Sequence, residues 1–295
     1  MKGRLNYLTP QLARVRAGAK RERVGPQARP SPAGMYLTVL IVQLSRPKLN
    51  SLLERHRDIL LFMRQPSPKA LESLQQEVIH CTRCPRLVAY CREVARKKRR
   101  MYRNEEYWGR PLPGFGDPAA RLLILGLAPA AHGGNRTGRM FTGDRSGDFL
   151  YRALSEAGFA NQPHSIRPGD GLKLRDCYIT ASLRCAPPQN KPARDELLNC
   201  RPYLVRELEL LTRVRAVLAL GRIAFDAYLE TVVDKLGGKP RSAFHFGHGA
   251  SFNLPSGPPK LFASYHPSQQ NTQTGRLTAE MFRSVLEGIR DYLAS

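Results

Sequence analysis

The stretch RLLILGL, residues 121–127, runs without a break into APAAHGGNRTGRMFTGDRSGD, residues 128–148, and the fold turns on that junction. The first part is apolar apart from Arg121 and Gly126 and does not alternate, the pattern of a strand covered on both faces. The second part is polar and glycine-rich, the composition of a loop leaving a strand. Three later stretches repeat the arrangement: CYITASL at 177–183 before Arg184-Cys-Ala-Pro-Pro-Gln-Asn190, AVLAL at 216–220 before Gly221-Arg222, and LFASY at 261–265 before His266-Pro-Ser268. Helical spacing marks residues 71–79 ahead of them, and 147–157, 194–211, 223–233 and 279–293 between and after them. Strands separated by helices imply parallel crossovers. The sequence therefore predicts an α/β fold, a central four-stranded parallel sheet flanked by helices in three α/β/α layers. Parallel strands deliver their carboxyl ends to one edge, where open sheets bind ligands. His132, Asp144, Asn190 and His266 are expected to converge there.

Outside this frame the chain changes character. Residues 1–66 carry Lys2, Arg4, Arg14, Arg16, Lys20, Arg21 and Arg23 with prolines at 26, 30, 32 and 47, a composition poor at burying surface. We read them as a basic, largely disordered arm with one short helix at 50–62, and residues 67–295 as the globular domain. An Arg-rich, acid-poor leader also resembles a mitochondrial transit peptide, and Met35 and Met63 leave the start codon open. No apolar run approaches the roughly 20 residues of a spanning helix, so a cytoplasmic monomer without membrane contact is expected. Over 295 residues, 47 Lys and Arg against 24 Asp and Glu give a formal charge of +23. That excess points to a polyanion, because each phosphate neutralised releases counterions. A solvated basic surface is the plainer alternative.

Of the 6 cysteines, Cys81 and Cys84 form a C-x-x-C pair, and Cys185 and Cys200 stand further along in a polar, proline-containing segment. Four thiolates so disposed suit a soft metal, and spacing alone favours a tetrahedral zinc over an iron–sulfur cluster. Unrelated buried thiols are the alternative. Cys91 and Cys177 read as ordinary core residues.

Taken together, the first motif at 126–148, the second at 266–278 (HPSQQNTQTGRLT) and the four spaced cysteines resemble the uracil-DNA glycosylase superfamily, in particular its family 5. The likeness runs from about residue 70 to the carboxyl end, and the basic arm has no counterpart in it. It implies a monofunctional DNA-repair glycosylase that flips a base from double-stranded DNA and leaves an abasic site. It also changes the metal from zinc to a structural [4Fe–4S] cluster on Cys81, Cys84, Cys185 and Cys200.

The resemblance implies roles for single residues. Phe141 stacks on the flipped base, His266 donates to the base oxygen, and Asp144 and Asn190 position water and support the cationic sugar. Gly126, Leu127, Ala128, Ser268, Asn271 and Arg276 line the substrate, and Gln269, Gln270 and Asn271 enter the minor groove. Asp144 is equally a good helix N-cap, and Gln269–Asn271 equally a polar turn. Arg136, Arg139 and Arg276 are the preferred phosphate contacts. The run Arg96-Lys-Lys-Arg-Arg100, with Tyr102, Tyr107 and Trp108 nearby, is a further one, or else a solvated face. Two departures matter. Leu127 stands where family 4 has a carboxylate, and Ala181 where it has the asparagine that reads uracil. A site without that partner is expected to accept hypoxanthine, xanthine and ethenocytosine as well. A uracil-restricted family 4-like enzyme, a catalytically silent iron–sulfur DNA-binding protein and a zinc-dependent nucleic-acid hydrolase are the competing readings.

Overall fold

A computed structural model describes residues 68–295. The arm at 1–66 and the helix at 50–62 lie outside the described residues. The four expected strands are present as β2 (Leu122–Gly126), β3 (Cys177–Ala181), β4 (Ala216–Leu220) and β6 (Lys260–Ser264), all parallel where they pair. Two strands of two residues each, β1 (Phe115–Gly116) and β5 (Ser251–Phe252), were not expected. They pair antiparallel with β3 and β6 and extend the sheet to six strands in the order β1-β3-β2-β4-β6-β5. Such short pieces carry no readable period, and they cap both outer edges that would otherwise expose unpaired backbone.

Eight helices complete the described residues: α1 (Pro68–Ile79), α2 (Pro85–Lys97), α3 (Gly134–Thr137), α4 (Arg145–Glu156), α5 (Arg194–Leu210), α6 (Arg222–Thr231), α7 (Gln269–Gln273) and α8 (Ala279–Ala294). The strands are apolar on both faces because both are covered. Leu122, Ile124, Leu218 and Leu220 pack with Leu150 and Leu154 of α4 and Phe282, Leu286 and Ile289 of α8. Leu123, Leu125, Val217 and Ala219 point the other way, onto Leu204 of α5 and Phe225, Tyr228 and Leu229 of α6. Alternate residues of one strand thus serve two cores, and each buried Leu or Ile contributes about 1.5–3 kcal/mol. No described helix is long and apolar enough to cross a membrane.

Two polar links set the frame for the site. Arg184, just past β3, forms an ion pair with Glu207 of α5 at 2.6 Å, both side chains 1% exposed, and Thr180 Oγ1 donates to the same carboxylate at 2.7 Å. Removing one partner of such a buried pair costs about 3–5 kcal/mol. On α1, Gln75 donates to the Gly114 carbonyl and to the Tyr178 hydroxyl, tying that helix to the sheet.

Candidate active site and thiol cluster

The loop that leaves β2 at Gly126 returns to the sheet edge at Phe141 and enters α4 at Arg145. Two buried arginines shape it. Arg136 donates to the carbonyls of His132 (2.8 Å) and Gly143 (2.7 Å) and pairs with Glu105. Arg139 holds Asp170 through both guanidinium nitrogens (2.9 and 2.7 Å) and also binds Ser165 and Thr142. Their side chains are 8% and 6% exposed. This corrects the phosphate-contact expectation for Arg136 and Arg139, whose donors are engaged inside the protein. Arg276, which is exposed and lies 4.6 Å over the Tyr265 ring, keeps its candidacy.

Phe141 and His266 meet. Their rings are 5.8 Å apart at 29°, a stacked pair joining the loop after β2 to the end of β6. Phe141 holds a φ of +51°, a left-handed backbone that an L side chain adopts only where its surroundings force it. Gly147 leaves room for this path, since a Cβ there would come within 1.8 Å of the Phe141 carbonyl oxygen. Gly126 lies under the Phe141 ring and pairs in register with Ala181. Leu127 and Ala128 follow, both half-buried, and the Leu127 carbonyl accepts from the Leu183 amide at 2.9 Å. Burial pushes the His266 pKa down to about 4, so its ring is neutral at pH 7.

Asp144 caps α4: its Oδ1 accepts from the Gly147 amide at 2.9 Å. That cap starts the helix at Arg145, two residues ahead of the expected 147. Its other oxygen faces Gly133, where a Cβ would lie 1.9 Å away. One carboxylate oxygen is therefore structural, and the other looks into the cleft loop. Burial raises the carboxyl pKa against the opposing pull of the Gly147 and Ser146 amides.

The remaining candidates divide. Ser268 caps α7 by accepting from the Asn271 amide (3.3 Å), and Asn271 Nδ2 donates to the His266 carbonyl (2.8 Å). The segment expected to enter the minor groove, or else to form a polar turn, is a short helix that steadies His266 and exposes Gln269 and Gln270. Asn190 sits exposed in a helical turn with a φ of +57°, and no side-chain contact joins it to Phe141, Asp144 or His266 among the described residues. His132 accompanies the loop but bonds to the Tyr107 hydroxyl at 3.1 Å, and burial, then Arg99 and Arg136, lowers its pKa. Sequence reasoning missed His248, which sits in a Gly-His-Gly coil. It stacks on Tyr265, the neighbour of His266, at 5.2 Å, and reaches Ser264 and the Met281 carbonyl. No periodicity would have singled it out.

The thiols gather on the far side of the first loop. Cys84, Cys185 and Cys200 are buried in one core with Leu87, Leu183 and Ala186, against which Ala128 and Ala131 also pack. Cys81, half-buried, lies beside Leu74, Val78 and Tyr203. All remain free thiols, and Cys81 is close enough to raise the pKa of Cys84, Cys185 and Cys200. Burial is the larger cause for Cys84 and for Cys200, which is pushed up to about 11. Cys177 is a core residue of β3, as expected, but Cys91 is more than that. It donates to the Ala186 carbonyl at 3.7 Å and shares the buried core of Cys185. As the side chains stand, no group of three or more His, Cys, Asp or Glu among the described residues is arranged to hold a single ion. The donor set itself, three thiols in one apolar core with Cys81 close by, fits a soft multi-iron centre, whose binding would displace their protons.

A family profile for the uracil DNA glycosylase superfamily matches residues 113–290. A type-5 uracil-DNA glycosylase of Thermus thermophilus is 55% identical over 73% of this chain and 94% of its own length. The type-5 enzyme of Pyrobaculum aerophilum is 48% identical, covering 71% of this chain and 87% of the relative. A type-4 uracil-DNA glycosylase of Saccharolobus solfataricus is 29% identical over 60% of this chain and 76% of its own.

Proposed function

The chain belongs to the uracil DNA glycosylase superfamily, and from that membership we propose a type-5 repair enzyme that hydrolyses the N-glycosidic bond of uracil and other deaminated bases in duplex DNA. The observation that carries the reading is the Phe141–His266 stack at the carboxyl ends of β2 and β6. A stacked base cannot be reached in the duplex, so the nucleotide rotates out and its base lies against Phe141. As the bond to the sugar breaks, negative charge grows on the base and positive charge on the sugar. His266, neutral, donates a hydrogen bond to the base oxygen as that charge appears. The second oxygen of Asp144 orients water toward C1′ and offsets the sugar's charge. Water adds to C1′, the base leaves, and the strand keeps an abasic site.

Ala181 supports a broad substrate range. It ends β3 in register with Gly126, so a methyl group stands beside the base slot where an amide would read the base edge. Discrimination of the strength that a lost hydrogen bond gives, about 10⁴–10⁵, is then absent. Duplexes carrying uracil, hypoxanthine, xanthine or ethenocytosine, incubated with the protein and treated with alkali, are each expected to break at the lesion. Cleavage confined to uracil would defeat the broad range, and no cleavage at all would defeat the enzyme.

Cys81, Cys84, Cys185 and Cys200 would hold the [4Fe–4S] cluster. When bound it braces the scaffold and supplies no step of the hydrolysis. It would join the α1–α2 junction to the end of β3 and to α5, segments that also meet through apolar contacts and through the Arg86–Glu196 and Arg206–Glu77 ion pairs. Protein purified without air is expected to contain iron and acid-labile sulfide in equal amounts and to absorb broadly in visible light. Cys200→Ser should abolish both signals. Stoichiometric zinc in a colourless protein would replace the cluster with the single ion that spacing alone favours.

A further inference from the structure

Beyond the flipped-base site, the chain between α2 and β1 presents an unusual surface. Helix α2 stops at Lys97, Lys98 turns into a left-handed conformation with a φ of +51°, and residues Arg100–Tyr102 form one helical turn. Its apex is Met101, a large apolar side chain 67% exposed. Around it lies an open groove of about 420 Å³ lined by Arg99, Arg100, Met101 and Arg103. Of the nearby acids, Glu93 pairs with Lys97 and Glu105 with Arg136, while exposed Glu106 makes no ion pair among the described residues. No carboxylate pairs with Arg99, Arg100 or Arg103 among the described residues. A thioether held in water among three cations is poorly placed for a protein or lipid core, but well placed against a polyanion with a stacked apolar interior.

The turn is also fastened to the catalytic loop. The Arg136 guanidinium lies 3.9 Å over the Tyr102 ring, and the same group donates to the Gly143 carbonyl next to Asp144. Tyr107 binds His132, and the amides of Trp108 and Gly109 donate to the carbonyls of Arg136 (2.9 Å) and Asn135 (3.0 Å). Residues 99–109 therefore travel with the loop that carries Phe141 and Asp144.

We propose that Met101 is a DNA wedge: its side chain enters the base stack of the duplex while Arg99, Arg100 and Arg103 grip the flanking phosphates. The inference rests on the glycosylase reading and adds a contact separate from the segment after His266. Apolar side chains such as Met and Leu unstack base steps in this way, and basic neighbours supply the attraction. Because Met101 is exposed, its replacement leaves the core intact.

The test compares wild type with Met101→Ala and Met101→Leu on duplexes in which uracil faces adenine or guanine. Met101→Ala should release uracil from the fully paired U·A duplex about tenfold more slowly, since unstacking and unpairing there cost a few kcal/mol, and should lose less on the weaker U·G pair. A 2-aminopurine placed beside the uracil should brighten less on binding Met101→Ala than on binding wild type. Met101→Leu should restore both signals. Unchanged U·A rates, or equal losses on the two pairs, would overturn the wedge and leave the glycosylase standing. A wild type that releases no uracil from either duplex would remove the glycosylase reading and the wedge with it.

Discussion

Asp144→Asn is expected to lower kcat on uracil-containing duplex by about 10²–10⁴-fold while leaving the fold and its thermal midpoint nearly unchanged, because it removes the charge and keeps the cap. The structure makes this separation testable. Asp144 uses one oxygen to accept the Gly147 amide and sets the other against Gly133 of the loop after β2. Asparagine retains an acceptor for the amide, and Asp and Asn are near-equal N-caps. Asp144→Ala removes cap and charge together and should cost a further 0.5–2 kcal/mol or so of stability. The pH dependence gives a second readout. Burial raises the Asp144 pKa, and only the ionised form serves the sugar cation, so activity should fall as pH drops through a value above that of an ordinary aspartate. Asp144→Asn should flatten that acid limb. A variant that retains wild-type kcat would reduce Asp144 to a helix cap.

The second large effect belongs to His266. His266→Ala should cost about 2.7–4 kcal/mol of barrier, roughly 10²–10³-fold in kcat, the usual loss for one donor aimed at developing negative charge. Because its pKa sits at about 4, the ring is neutral across the working range and acts as a hydrogen-bond donor without carrying charge. The acid limb set by Asp144 should therefore persist in His266→Ala, only lower. Single-turnover rates across pH would check both statements. Loss of that limb in His266→Ala would mean that His266, not Asp144, titrates.

The layered sheet was legible because its determinants are local. Unalternating apolar runs mark β2, β3, β4 and β6 to within two residues at each end, and each is chased by a polar loop. Neither β1 nor β5 was legible, because a two-residue strand such as Phe115–Gly116 has no period to detect. Within the site, Phe141 and His266 stack although they lie in different motifs, one on the long loop after β2 and one just past β6. The arginines failed for the opposite reason. Sequence shows a charge but not its partner, and Glu105 and Asp170 each stand 31 residues from the arginine they hold. Asn190 sits on an exposed turn after β3, held by backbone geometry that its residue type does not reveal. One signal was available and unused. Cys91 follows Cys84 by seven residues, two helical turns, which turns both sulfurs toward the Cys185 segment.

Three glycines in the cleft touch what they must not displace. A Cβ at 133 would meet the Asp144 carboxylate at 1.9 Å, one at 147 the Phe141 carbonyl at 1.8 Å, and one at 126 the Phe141 ring at 2.9 Å. In the genetic code, cytosine deamination opposite the first or second base of a glycine codon can yield only serine, arginine, aspartate or glutamate. Every such change adds the forbidden atom. An unrepaired uracil at any of these codons, the lesion that the proposed activity removes, therefore puts into the cleft a side chain that it cannot hold.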